Sequence, residues 1–182
     1  ARLAGEAFAR LADAVIRAVH RAVTDNFAAT YGHMKGEETA VLAMGKLGGR
    51  EMTATSDLDL ILFYDFDADQ PESDGKRVLY GGQYFARLTQ RLINALTAQT
   101  NYGALYEVDM RLRPSGQAGP LATQIGSFTN YQETEAWTWE HLALTRAHVV
   151  AGPADLGAEV EVIRREVLAA KAGGDAVLSD TA

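Results

Sequence analysis

Residues 43–65 read AMGKLGGREMTATSDLDLILFYD, and they constrain the fold of this chain more than any other stretch. A short apolar run over 40–44 is broken at 45–49 by three glycines and a lysine, and a longer apolar run follows over 58–64. The pattern predicts strand, glycine turn, strand. Asp57 and Asp59 open the second run. Alternate residues of a strand share a face, so the two carboxylates point the same way, about 7 Å apart at about 3.3 Å of rise per residue. That face continues with Ile61 and Phe63, so it is not a solvated one.

Two carboxylates on an apolar face repel by about 4 kcal/mol if brought to about 4 Å in a partly buried site, so a cation belongs between them. A hard divalent ion such as magnesium, or manganese, takes carboxylate oxygens together with substrate phosphates. Glycines let backbone N–H groups approach a phosphate closely, and Lys46 adds a point charge beside them. Metal carboxylates next to a phosphate cradle predict a nucleoside triphosphate site.

Composition narrows the partners. The chain has 182 residues, enough for one substantial domain with its own core, and 47% of them are hydrophobic. A net charge of −7 argues against tracking a nucleic-acid backbone, which rests on clustered Lys and Arg. Without cysteine there are no disulfides, thiolate metal sites or cysteine nucleophile. No apolar run approaches the roughly 18 residues of a membrane span, and the N-terminus lacks a signal-peptide pattern; the expected location is the cytoplasm. The absence of an initiator Met and the small-residue tail suggest a piece of something longer.

The remaining chain reads as follows. Over 2–30 the 3.6 period predicts one amphipathic helix whose apolar side carries Leu3, Ala7, Phe8, Leu11, Val15, Val19, Ala22, Val23 and Phe27. An acidic loop over 65–76 imitates an EF-hand but has Gln70 and Lys76 where glycine and glutamate are needed, so calcium is not expected. A helix is predicted over 77–100. Residues 104–113 alternate strictly, with Tyr106, Val108, Met110 and Leu112 on one side and Glu107, Asp109, Arg111 and Arg113 on the other. Asp109 would be the third carboxylate of the metal site, and Arg111 and Arg113 would meet phosphate oxygens. Later helices are expected from Thr123 as N-cap to Tyr131, through Trp137, Glu140, His141, Leu144 and His148, and over 155–170; His20, His33, His141 and His148 read as ordinary structural residues.

The ordered motifs GKLGGREMTATSDLDLI, YEVDMRLRPSGQAGPL and EAWTWEHLALTRA resemble the bifunctional glutamine synthetase adenylyltransferase/adenylyl-removing enzymes, members of the nucleotidyltransferase superfamily, over about residues 40–152. The resemblance implies an α/β (α+β) fold: a mixed sheet flanked by helices, with an N-terminal helix over 1–36, a catalytic core over 37–122, a helical part over 123–172 and a tail over 173–182. It implies that Gly48 and Gly49 hold the triphosphate and that Asp57, Asp59 and Asp109 hold Mg2+ or Mn2+. The superfamily turn usually pairs Gly with Ser where this chain has Gly-Gly, which leaves Ser56 as a candidate to supply the hydroxyl.

The implied activity is transfer of AMP from ATP to a tyrosine of glutamine synthetase, with the PII signalling protein a regulator of the full enzyme. Glu107 and EAWTWEH are like the attaching half of the family; the removing half tends to carry arginine and RDWERY there. Phosphorolytic removal of AMP, or nucleotide sensing without catalysis, are the alternatives.

Overall fold

Strand β2 (Leu58–Asp65) is buried on both faces, which is why LDLILFYD is apolar almost throughout. Leu58, Leu60, Leu62 and Tyr64 enter one core, while Ile61 and Phe63 enter a second core on the opposite side of the sheet. This computed structural model describes residues 2–172; the expected tail over 173–182 lies outside the described residues.

In chain order the elements are α1 (Arg2–Tyr31), β1 (Glu38–Ala43), α2 (Gly45–Gly48), β2, α3 (Gly81–Leu96), β3 (Gln99–Thr100), β4 (Gly103–Ala104), β5 (Val108–Asp109), β6 (Thr123–Gln124), α4 (Ile125–Thr134), α5 (Thr138–Leu144), β7 (His148–Ala151) and α6 (Ala154–Ala172). The main sheet runs β5-β2-β1-β7, with β1 antiparallel to both β2 and β7. On its other edge β2 pairs in parallel with β5 at its beginning and with β6 towards its end. The result is the mixed sheet with flanking helices that the motifs implied. Residues 123–172 are helical but also lend β6 and β7 to the sheet that residues 37–122 begin.

Helices α1 and α3 cover one face. Tyr64 stacks on Phe85 with ring centroids 4.1 Å apart, and Phe27 meets Tyr84 edge-on at 4.9 Å; such pairs add about 0.5–1.5 kcal/mol beyond the area they bury. Helices α4, α5 and α6 supply Ile125, Phe128, Leu144, Leu156 and Val160 to the other core.

Three expectations are corrected. In the first half of α1 the buried side is Gly5, Ala9, Ala12 and Ile16, whereas Leu3 is 81% and Leu11 54% exposed. Small residues win there because the helix lies close to neighbouring backbone: a Cβ on Gly5 would come 3.3 Å from the Cα of Glu51. Of the strand expected over 104–113, Ala104 falls in β4, which pairs with β3 in a separate hairpin, and β5 pairs with β2 before the chain leaves that edge after Asp109 and returns at Thr123. Tyr106, Val108 and Met110 do share the first core, but Leu112 packs into the second. Finally, α5 ends at Leu144, and His148 stands in β7 rather than in a helix.

His148 joins three elements. Its Nδ1 lies 3.1 Å from the carbonyl oxygen of Gly48 at the end of α2, and its Nε2 lies 3.1 Å from the carboxylate of Asp13 on α1. Both partners only accept, so a ring that serves both carries two N–H groups and a positive charge. The hydrogen bond to Asp13, working against burial, raises the His148 pKa above its ordinary 6.5. This stabilisation is complete below about pH 6.5 and fades as pH rises through the raised folded value. Asp13→Asn should therefore lower unfolding free energy by about 1–3 kcal/mol at about pH 5.5 and by less at about pH 8.5, as read by urea denaturation.

Candidate metal and nucleotide site

Parallel pairing of β2 with β5 sets Asp59 directly beside Asp109. Asp57 stands just before β2, and the three carboxylates present oxygens that all lie within 4.8 Å of one another. Asp57 is exposed while Asp59 and Asp109 are half-buried, so one side of the cluster opens to solvent. A groove of about 240 Å³ lined by Thr55, Asp57, Tyr106 and Glu107 adjoins it.

The electrostatics of the trio are uneven. Burial first, and then the charges of Asp57 and Asp109, push the Asp59 carboxyl above the usual carboxylate range, against the opposing pull of Arg111 and Lys46. Asp109 is held below that range by Arg111, whose backbone N–H donates to Oδ1 at 2.7 Å and whose Nε and Nη2 donate to Oδ2, the former at 2.7 Å. Arg111 is thus the internal counter-ion of the cluster. Three hard oxygen donors, one open to solvent and none soft, fit Mg2+ or Mn2+.

The glycine stretch is a single helical turn rather than an open loop. The Met44 N–H donates to the carbonyl of Asp59 at 2.9 Å and docks the turn on β2. Gly45, at φ +57°, lies so close to the acid cluster that a Cβ there would come 2.1 Å from Oδ2 of Asp59. Sequence reasoning missed this role; the signal was a glycine at the very end of an apolar strand. Lys46 is exposed beside it.

Other expected residues have different surroundings. The Gly48 and Gly49 amides donate within the turn, to Met44 at 2.7 Å and Gly45 at 3.0 Å. A Cβ on Gly48 would come 2.0 Å from the Arg146 carbonyl oxygen, and one on Gly49 would come 2.8 Å from the Arg146 guanidinium. Backbone packing against Arg146 and Ala43 is therefore what requires glycine at 48, whereas at 49 only the flexible Arg146 side chain stands in the way. Ser56 is buried, and its hydroxyl accepts the Thr53 N–H at 3.0 Å, which closes the turn before Asp57.

Arg113 is buried and donates to the carbonyls of Met110 at 2.7 Å, Pro120 at 3.0 Å and Gly119 at 3.3 Å, so it shapes the loop over 110–120, while its charge still helps to hold Asp109 low. In the EAWTWEH run, Glu140 accepts from the Tyr131 hydroxyl and the Trp137 N–H, both at 2.9 Å, and Nε2 of His141 lies 3.0 Å from the Gln132 carbonyl oxygen. Both are structural.

Two substitutions separate charge from shape. Asp59→Asn removes one repelling carboxylate, so the chain without added metal should gain about 1 kcal/mol while its thermal stabilisation by Mn2+ disappears. Gly45→Ala should also abolish the Mn2+ shift, by displacing the Asp59 carboxylate, but should lower the metal-free midpoint because alanine is strained at positive φ. Thermal unfolding with and without Mn2+ reads both.

A family model described as glutamate-ammonia ligase adenylyltransferase matches residues 3–163. A bifunctional glutamine synthetase adenylyltransferase/adenylyl-removing enzyme of Rhodopseudomonas palustris strain CGA009 is 59% identical over 98% of this chain and 18% of its own length. One from Xanthobacter autotrophicus is 61% identical over 93% of this chain and 17% of its own length. The chain spans about a sixth of the length of these curated relatives. With the matching model covering most of its residues, the chain belongs to the glutamate-ammonia ligase adenylyltransferase family.

Proposed function

We propose that this chain carries a nucleotidyltransferase site that moves AMP from ATP to a tyrosine hydroxyl of glutamine synthetase, releasing pyrophosphate. The observation that carries the reading is the convergence of Asp57, Asp59 and Asp109 beside a glycine turn that bears Lys46. Membership of the family supports the substrate class, and the relatives' printed names supply glutamine synthetase as the protein acted upon. The site would work in the cytoplasm, and in the longer enzyme under control of PII.

The phenol oxygen attacks the α-phosphorus while the bond to pyrophosphate breaks. Asp57, Asp59 and Asp109 would hold Mg2+ or Mn2+, which when bound lowers the pKa of the attacking phenol and offsets triphosphate charge. Lys46, exposed at the turn, offers its ammonium to the triphosphate. Free tyrosine has a pKa near about 10, so the proton needs a receiver at neutral pH, and Asp109 is the carboxylate set to take it once Arg111 lets go. Arg111, exposed and on the rim, is then free to meet phosphate oxygens.

The same aspartates serve removal of AMP with phosphate as attacker, and direction rests on Glu107 and the EAWTWEH run. Incubation with unmodified glutamine synthetase and ATP labelled at the α-phosphate should place label on tyrosine, and Asp59→Asn should cut transfer by about 10²–10³-fold. Loss of AMP from modified glutamine synthetase in the presence of phosphate, without forward labelling, would reject the attaching direction. Binding of ATP with neither reaction would make this a nucleotide-sensing domain.

A further inference from the structure

The far edge of the sheet also carries a groove. β5 and the acid cluster lie at one end of the strand order and β7 at the other. Between α1, β7 and the first turn of α6 runs an open groove of about 760 Å³, within the size range of small-molecule sites. We propose that this groove binds a small, multiply charged anion, a dicarboxylate or a phosphate compound.

Charge carries the argument. Arg17 and Arg21 stand one turn apart on α1 and line the groove together with Arg50, although the chain as a whole has a net charge of −7. Like charges at this helical spacing cost about 0.2–0.5 kcal/mol in place of the gain an ion pair would bring. Among the described residues neither Arg17 nor Arg21 forms an ion pair; Arg17 reaches only the Val150 carbonyl oxygen, at 3.4 Å. Arg50 lies 3.9 Å from Asp13, a carboxylate that His148 already engages at 3.1 Å. Glu161, the acid that lines the groove, is paired with Arg164 at 2.9 Å. Buried His20 has its pKa lowered by burial and lies 2.8 Å from the Thr39 hydroxyl. Arg17 and Arg21 therefore line the groove without an ion pair among the described residues, while Arg50 shares Asp13 with His148.

Shape agrees. The opposite wall is the start of α6, which packs on β7 at Gly157, where a Cβ would come 3.3 Å from Cγ1 of Val149; the helix dipole there favours an anion, against the one acid of that first turn, Asp155. Strand addition by a peptide is disfavoured, because Glu161 already accepts the Val149 N–H at 3.3 Å and Arg17 already donates to Val150. Guanidinium forks fit carboxylate and phosphate alike, so both chemistries serve as probes. The assignment does not depend on the transferase reading.

Calorimetric titration at fixed ionic strength with succinate, and separately with inorganic phosphate, tests it. At least one should bind saturably with one-to-one stoichiometry, and the probe that binds identifies the chemistry. Arg17→Ala/Arg21→Ala should weaken it at least tenfold, and Arg21→Glu alone, at an exposed side chain with no internal ion pair, should do the same with an unchanged unfolding midpoint. Lys46→Ala should leave it intact. Absence of saturable binding, survival of binding in both arginine variants, or its loss in Lys46→Ala, which would put the anion at the glycine turn, would overturn the proposal.

Discussion

Repulsion among three carboxylates gathered within 4.8 Å is the constraint on which the rest of this structure depends. Asp59 and Asp109 are neighbours because β2 and β5 pair in parallel at Leu58–Val108 and Asp59–Asp109, and the Glu107 carbonyl accepts the Leu58 N–H at 2.9 Å to hold that register. A slip of one residue would turn one carboxylate to the opposite face. The fold tolerates the repulsion in two ways: Arg111 neutralises Asp109, and the Asp59 carboxyl is pushed towards its protonated form. An ion that replaced both devices would be bound at the expense of an existing salt bridge, so the strength of the Arg111 pair helps to set how readily the site fills.

The surrounding architecture keeps this cluster against its turn. Gly45 is the contact between them, and Gly48, at the other end of the same turn, is packed against Arg146 and bonded to His148. His148 in turn holds Asp13 on α1. A chain of polar contacts therefore runs from the first helix, through the last strand of the sheet, to the turn beside the acids. The same His148, together with Arg50 just after the glycine turn, lines the arginine groove on the far edge, so this chain of contacts connects the two edges of the sheet.

How much of this was legible depended on whether a residue's role was local. The Asp57/Asp59 pair could be read because period two in a strand is a local rule, and the burial of that face of β2 followed from Ile61 and Phe63 beside them. Asp109 could be singled out, but not its parallel pairing with Asp59, because strand neighbours are not encoded in a short window. The face of α1 was misjudged where size was taken for burial: Leu3 and Leu11 are larger than Gly5 and Ala9, yet the sheet side needs small residues. Arg113 read as a phosphate ligand because alternation put it beside Asp109; the turn over 110–120 that breaks the alternation is held by Arg113 itself. His148 was assigned to a helix although Val149 and Val150, followed by Gly152-Pro153, carry a strand signal.

The central claim is that Asp57, Asp59 and Asp109 act as one cation-binding unit beside the glycine turn. Anomalous diffraction from crystals of the chain grown with Mn2+ and a non-hydrolysable ATP analogue tests this most directly. The account predicts manganese density between these three carboxylates, in contact with the analogue's phosphates and with the Arg111 pair opened. Manganese density elsewhere, or an analogue bound away from the turn with the Arg111–Asp109 pair intact, would contradict it.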